Sequence, residues 1–218
     1  MTVHPSTRRF VALFSGLLLA SSFSGCSMES QRNSSAKTDG AGTVVGSDST
    51  GNSQEAGVSL SVTKPTIGST QPLLKVESCY LAAQPPAEDF AAFKTAGIKK
   101  VISLRDPSEI NWDEKSAAEA AGLEFVQIPL GSPAQLTNEK LDQICDLLRE
   151  SRQKEEPVVL HCGAAVRASA VWLAHYCLDH QATWEQADKF SASLVNVPEA
   201  WKTPVKAYVE QKASGNAR

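Results

Sequence analysis

Between Phe23 and Tyr80 the chain has no aromatic residue. Ser, Gly, Thr and Asn dominate that stretch, so it cannot bury enough apolar surface to offset the entropy of ordering it. This excludes a packed core from residues 27–71. Charge of one sign is scarce too. The chain has 21 Lys and Arg against 24 Asp and Glu, a formal net charge of -3, too little to draw a nucleic acid. Histidine is down to four residues. None stands with Cys or carboxylates at metal-ligand spacing, so neither a metal nor a cofactor is expected. No apolar run reaches the length of about 18 residues that a membrane-spanning helix needs. What remains, 42% hydrophobic over 218 residues, suffices for one domain with a real core.

Residues 1–26, "MTVHPSTRRFVALFSGLLLASSFSGC", read as an export signal. Arg8 and Arg9 form the basic n-region, and Phe10 to Ala20 form an apolar stretch of h-region length. The closing "SFSGC" resembles the lipobox of bacterial lipoproteins, with Phe23 where Leu is usual. That resemblance implies lipid modification of Cys26 and a membrane-anchored protein on the periplasmic or cell-surface side. An ordinary signal peptide, cut at the small residues, is the alternative. Residues 27–71 are then a flexible tether, residues 72–212 the folded domain and residues 213–218 a tail.

Within 72–212 strand-like and helix-like segments alternate. "LLKVESCYLAAQ" (73–84), "KKVISLRD" (99–106), "LEFVQIPL" (123–130) and "PVVLH" (157–161) read as strands or a hairpin. Helices are expected at 85–97, 112–122 and 137–151, after residue 165, and from a capping box at Thr183–Gln186. Pro198 and Pro204 predict a break near 197–212, where Trp201, Val205, Tyr208 and Val209 suggest a terminal helix packing on the domain. The alternation implies an α/β fold with a mostly parallel central sheet flanked by helices. Ligands of such sheets sit beyond the carboxyl ends of the strands.

Cys162 lies at such an end, in "PVVLHCGAAVRASA" (157–170). A helix begins just after it, and the N–H groups of a helix start attract anions. That field and a nearby Arg favour thiolate over thiol. An Arg guanidinium grips two phosphate oxygens at once, which Lys cannot do. Cys162 as nucleophile, Arg167 as phosphate binder and an amide cradle from Gly163, Ala164, Ala165 and Val166 would form a site for phosphoryl transfer. His161 would orient the loop from behind.

The domain resembles cysteine phosphatases of the dual-specificity kind. More closely, it is similar to the phosphatase-like domain fused to some bacterial beta-lactamase-fold hydrolases. The resemblance covers about 72–180 and rests on "AAQPPAEDFAAFKTAGIKKVISLRDPSE", "AAEAAGLEFVQIPL" and "VVLHCGAAVRASAVWLA". It implies a cysteine-phosphatase-like fold and hydrolysis of a phosphorylated substrate of unknown type through a cysteinyl-phosphate on Cys162.

The departures from the family pattern are specific. Most cysteine phosphatases place five residues between Cys and Arg; here there are four, "GAAV". The bacterial subgroup shares the shorter loop, typically "CRSGTRS". Against it, Ala165 replaces a Gly and Ala168 replaces the hydroxyl residue after Arg, with Ser169 one position late. The family's general-acid Asp should follow the strand at 124–130, but "GSPAQ" stands there. Asp106, Glu109 and Asp113 are the substitutes, Asp106 foremost.

Two other classes remain open at this level. A rhodanese-like sulfurtransferase uses a similar loop length, but it usually lacks His before Cys and has a Gly-Gly turn downstream. Here no Gly follows Gly163 until Gly215. A phosphatase fold that only binds an anion or a partner is the other. Of the remaining cysteines, Cys145 and Cys177 fall on apolar helix faces, and Cys79 is a candidate resolving partner for Cys162. His175 and His180 read as surface or helix-end residues. Oligomeric state has no signature here.

Overall fold

The computed structural model describes residues 60–215. The signal segment with Cys26, the tether up to residue 59 and the last residues of the tail lie outside them. Within 60–215, five strands and six helices alternate: β1 (Leu73–Val76), β2 (Cys79–Ala82), α1 (Asp89–Thr95), β3 (Lys100–Ser103), α2 (Glu114–Ala120), β4 (Glu124–Gln127), α3 (Asn138–Lys154), β5 (Val158–His161), α4 (Val166–Asp179), α5 (Trp184–Ser191) and α6 (Glu199–Gly215). Strand order is β1-β2-β5-β3-β4; β1 is antiparallel to β2 and every other pair is parallel. The expected α/β layering is present.

Pleating explains the two cores. Successive strand side chains point to opposite faces. Val158 and Leu160 of β5, with Ile102 of β3, enter the larger core beside α3 and α4. Val159, Val101 and Tyr80 enter the other, against Phe90 and Phe93 of α1. α4 is buried continuously from Ala168 to Cys177, so it runs through the interior rather than over it. The Thr183 capping box forms in full and starts α5. Among the described residues no helix is long and apolar enough to cross a membrane.

Two expectations change. The folded region begins before Pro72. Leu60 and Val62 pack on the larger core, and Thr63 exchanges backbone hydrogen bonds with Lys75 of β1 at 3.0 and 2.8 Å. Asp89, buried at the start of α1, accepts hydrogen bonds from Ser69 N at 2.9 Å and from Thr70 Oγ1. Gly68, at φ +63°, lies under this carboxylate; a Cβ there would stand 2.2 Å from Asp89 Oδ1. Composition alone hides a docked arm of this kind, because its partners lie elsewhere in the chain.

The second change is α6. It is one helix with Pro204 inside it. Pro204 removes a single N–H near the helix start, and the buried side chains of Val205, Tyr208 and Val209 outweigh that loss.

Candidate active site

The parallel strands bring their carboxyl ends to one rim, and the candidate residues converge there. Cys162 follows β5 directly; its N–H donates to Ala82 O at 3.2 Å, and its side chain is buried. Ala83 and Ala164 form an isolated bridge, and Gln84 N–H donates to Gly163 O, so the loop is sewn to the chain leaving β2. α4 then starts. Its first helical N–H bond is Ser169 to Ala165 O, 2.9 Å, which leaves the N–H groups of Val166, Arg167 and Ala168 without helical acceptors.

Ala165 is the N-cap, at φ 63° and ψ -4°, with no side-chain cap bond. This is the left-handed region, open to Gly and costing an L-residue with a Cβ roughly 1–2 kcal/mol. The bend that a Gly would make freely is made by Ala165 under strain.

Arg167 folds back toward the loop. Its Nη1 donates to Leu130 O at 2.8 Å and to Leu104 O at 3.3 Å, beyond the ends of β4 and β3. A Cβ on Gly163 would lie 3.6 Å from both Arg167 Nη2 and Arg105 Nη1, so the two guanidinium groups flank that residue. Arg167 pKa is raised, first by the Glu109 hydrogen bond and further by the adjacent Cys162.

Glu109 occupies the Arg167 fork. Its Oε1 accepts from Nη1 at 2.8 Å and its Oε2 from Nη2 at 2.7 Å, while Arg105 Nε stands 2.7 Å from Oε2. The Arg167 hydrogen bond holds the Glu109 carboxyl below its ordinary pKa. The other substitute acids are capping groups. Asp106 caps the 3₁₀ turn Pro107–Glu109, with Oδ1 accepting from Ser108 N and Oγ, and these bonds lower its pKa. Asp113 caps α2 through Ser116 and is lowered in the same way. The structure thus gives Asp106 and Asp113 capping tasks and lays Glu109 on Arg167.

Behind the loop, His161 is fully buried and its pKa is lowered, chiefly by burial, so the ring is neutral. Its Nε2 stands 3.2 Å from Glu114 Oε1. Glu114, buried in the first turn of α2, also accepts hydrogen bonds from Ser103 Oγ at 2.8 Å and from Gln84 Nε2. Ser169 Oγ is buried with no hydrogen-bond partner among the described residues, so it does not reach the Cys162 thiol.

Sequence reading missed Arg105 and Glu114. Arg105 stands in "ISLRD", the strand already singled out, so its signal was present. Glu114 lies in an ordinary helix start and offers none. The resolving role of Cys79 is not available in this fold. Cys79 is in register with Val158, four residues before Cys162 on the neighbouring strand. At about 3.3 Å per residue the two are on the order of 13 Å apart, beyond disulfide reach.

Residues 77–182 match the family model described as "Polymorphic toxin system, DSP-PTPase phosphatase". Over this segment the chain is similar to phosphatase domains of the dual-specificity cysteine type. A "Beta-lactamase hydrolase-like protein" of Agrobacterium fabrum (strain C58 / ATCC 33970) is 32% identical over 108 residues, which are 47% of this chain and 24% of that protein. The chain thus spans about a quarter of the length of that relative. The fold is also that of Pseudomonas aeruginosa TpbA, at TM-score 0.51 and 17% identity over 64% of this chain and 83% of the other. PTPMT1 in complex with PI(5)P gives TM-score 0.56 and 14% identity, over 63% of this chain and 94% of the other.

Proposed function

We propose that this protein is a slow cysteine-dependent phosphomonoesterase, exported and tethered to a membrane through lipid on Cys26. In the first step the Cys162 thiolate attacks phosphorus. The P–O bond to the leaving group breaks, and the phosphoryl group becomes bonded to sulfur. In the second step water attacks that phosphorus, the S–P bond breaks, and inorganic phosphate and the thiolate are regenerated. Arg167 and the free N–H groups at the start of α4 bind the equatorial oxygens, and Gln84, Glu114 and His161 brace the loop.

The observation that carries this reading is Arg167 turned back beside Cys162, its fork already holding a carboxylate pair of oxygens. A carboxylate presents to a guanidinium much the same two-oxygen edge as a phosphate. Slowness follows from three features: strained Ala165, no hydroxyl at Ala168 to assist breakdown of the intermediate, and candidate acids taken up by capping and by Arg167. TpbA has been crystallised with pTyr in a Cys-to-Ser form. An aryl phosphate is accordingly the first substrate class to test here.

The test is turnover of an aryl phosphate by the purified protein, with Cys162→Ser as control. Activity abolished in the variant supports the reading. Oxyanion binding without turnover would favour the binding-module alternative. Thiocyanate from thiosulfate and cyanide would instead support a sulfurtransferase. Membrane fractionation of the wild type and of Cys26→Ser tests the tether. A wild type recovered without an acyl group removes it.

A further inference from the structure

Glu77 is distant in sequence from His175 and His180 but close to them in space. One ligand-type atom from each lies within 4.8 Å of the others. Glu77 is in the turn between β1 and β2; His175 is in the last turns of α4 and His180 is its C-cap. The expectation that both histidines are surface or helix-end residues fails for His175, which is 3% exposed. The His180 side chain is 4% exposed. Continuous burial of α4 accounts for this, since its C-terminal end runs under the β1–β2 turn.

The ring nitrogens are the second observation. His180 Nε2 lies 3.1 Å from Glu77 Oε2 and His175 Nδ1 lies 2.9 Å from Asp179 Oδ2. Yet both nitrogens are buried with no hydrogen bond of acceptable geometry. Buried polar atoms are normally satisfied. A cation between the side chains would satisfy His180 Nε2, while His175 Nδ1 faces Asp179 and leaves the other nitrogen of its ring to the metal. Two ligands each about 2.1 Å from a zinc ion at the tetrahedral angle are about 3.4 Å apart, close to the His180–Glu77 separation. Asp179 is itself fixed by Arg149, whose Nε is its ion-pair partner. A held carboxylate beside an imidazole is the usual support of a metal-binding histidine.

We propose that Glu77, His175 and His180 form a binding site for a divalent transition metal such as Zn²⁺, remote from Cys162. Two imidazoles and one carboxylate suit Zn²⁺, Co²⁺ or Ni²⁺ better than Mg²⁺ or Ca²⁺, which prefer all-oxygen shells. The site fastens the β1–β2 turn to the end of α4. His175 lies eight residues along α4 from Arg167, about 12 Å by helical rise, so the metal takes no part in the phosphoryl step. It acts as a staple on the helix whose other end carries the phosphate-binding Arg.

The test uses the full chain carrying Cys162→Ser, so that the loop thiol cannot bind metal. Co²⁺ is titrated and followed by visible absorption, and Zn²⁺ is titrated by calorimetry. One equivalent should bind, with d–d bands of a nitrogen and oxygen shell and no sulfur-to-cobalt charge transfer. Glu77→Gln, at an exposed turn, should fold normally and weaken binding at least about tenfold; His180→Asn should do the same. Zn²⁺ should raise the melting temperature of the parent and not of Glu77→Gln. Absence of binding, a thiolate charge-transfer band, or full affinity in both variants would each overturn the site.

Discussion

Glu109 closes a two-point ion pair on Arg167, at 2.8 and 2.7 Å, and a second arginine, Arg105, holds the same carboxylate from the side. The residue that should grip a substrate phosphate already grips an internal anion. Any phosphate entering the loop competes with Glu109 before it meets Cys162.

Removing that competitor should strengthen oxyanion binding. Glu109→Gln keeps the shape and deletes the charge, so vanadate or phosphate affinity should rise by about tenfold, the scale of one charge-assisted hydrogen bond of about 1.5 kcal/mol. Arg167→Lys should lose binding despite its charge, because it has no fork. Calorimetric titration checks both; weaker binding by Glu109→Gln would mean that the carboxylate organises Arg167 rather than masking it.

Ala165→Gly should stabilise the domain. Relief of the left-handed strain is worth roughly 1–2 kcal/mol, and added freedom of the unfolded chain returns about 0.5–1 kcal/mol of it. A net gain of up to about 1.5 kcal/mol should appear in urea unfolding. Gly68→Ala should do the reverse and by more, since its Cβ would strike the Asp89 carboxylate.

Catalysis should depend steeply on the leaving group. A positioned general acid contributes about 10²–10⁴-fold, but Asp106 and Asp113 are engaged as caps and Glu109 lies on Arg167. Turnover across aryl phosphates of graded leaving-group pKa should fall sharply as the phenol becomes more basic. A flat series, abolished by substituting one of the three, would identify that residue as the acid.

Stability should fall on mild acidification. Burial lowers the His161 pKa below its ordinary value. Between the folded pKa and about 6.5 the unfolded chain then binds more protons than the folded one. The contribution is fully present above about pH 6.5 and is lost as pH falls toward the lowered value. His161→Gln should flatten this part of a melting-temperature profile; an unchanged slope would place the titration elsewhere, His180 first.

Thiol chemistry should be selective. Burial pushes Cys145 and Cys177 up to about 12 and raises Cys79 as well. In native protein at neutral pH these three should resist iodoacetamide, while phosphate or vanadate should change labelling at Cys162 alone. Peptide mass spectrometry reads this directly. A Cys79–Cys162 disulfide in oxidised native protein would contradict the strand register.

The sheet, the helices and the Cys–Arg loop were legible because they rest on local signals: apolar periodicity, stop residues and a strand end before a helix. The suspicion that Ala165 stands where Gly belongs is matched by its positive φ. What was not legible depends on distant pairing. Glu109 reads as a solvated loop charge until the fold lays it on Arg167. Glu114 is an unremarkable helix-start acid until His161 and Ser103 close on it. Asp89 gives no hint that it will hold residues 69 and 70. The prolines near α6 misled only as to a break; the apolar spacing of Trp201, Val205, Tyr208 and Val209 already marked a terminal helix packed on the domain.

The docked arm also sets how the domain bears force. A pull on the chain from its N-terminal side reaches the Thr63–Lys75 bridge first and the clasp of Ser69 and Thr70 on Asp89 next. Both lie outside the parallel strands that carry Cys162. Moderate tension would therefore peel the arm from the edge of β1 and leave the rim that carries Cys162 unloaded, so under the tether proposed above the arm would act as a mechanical fuse.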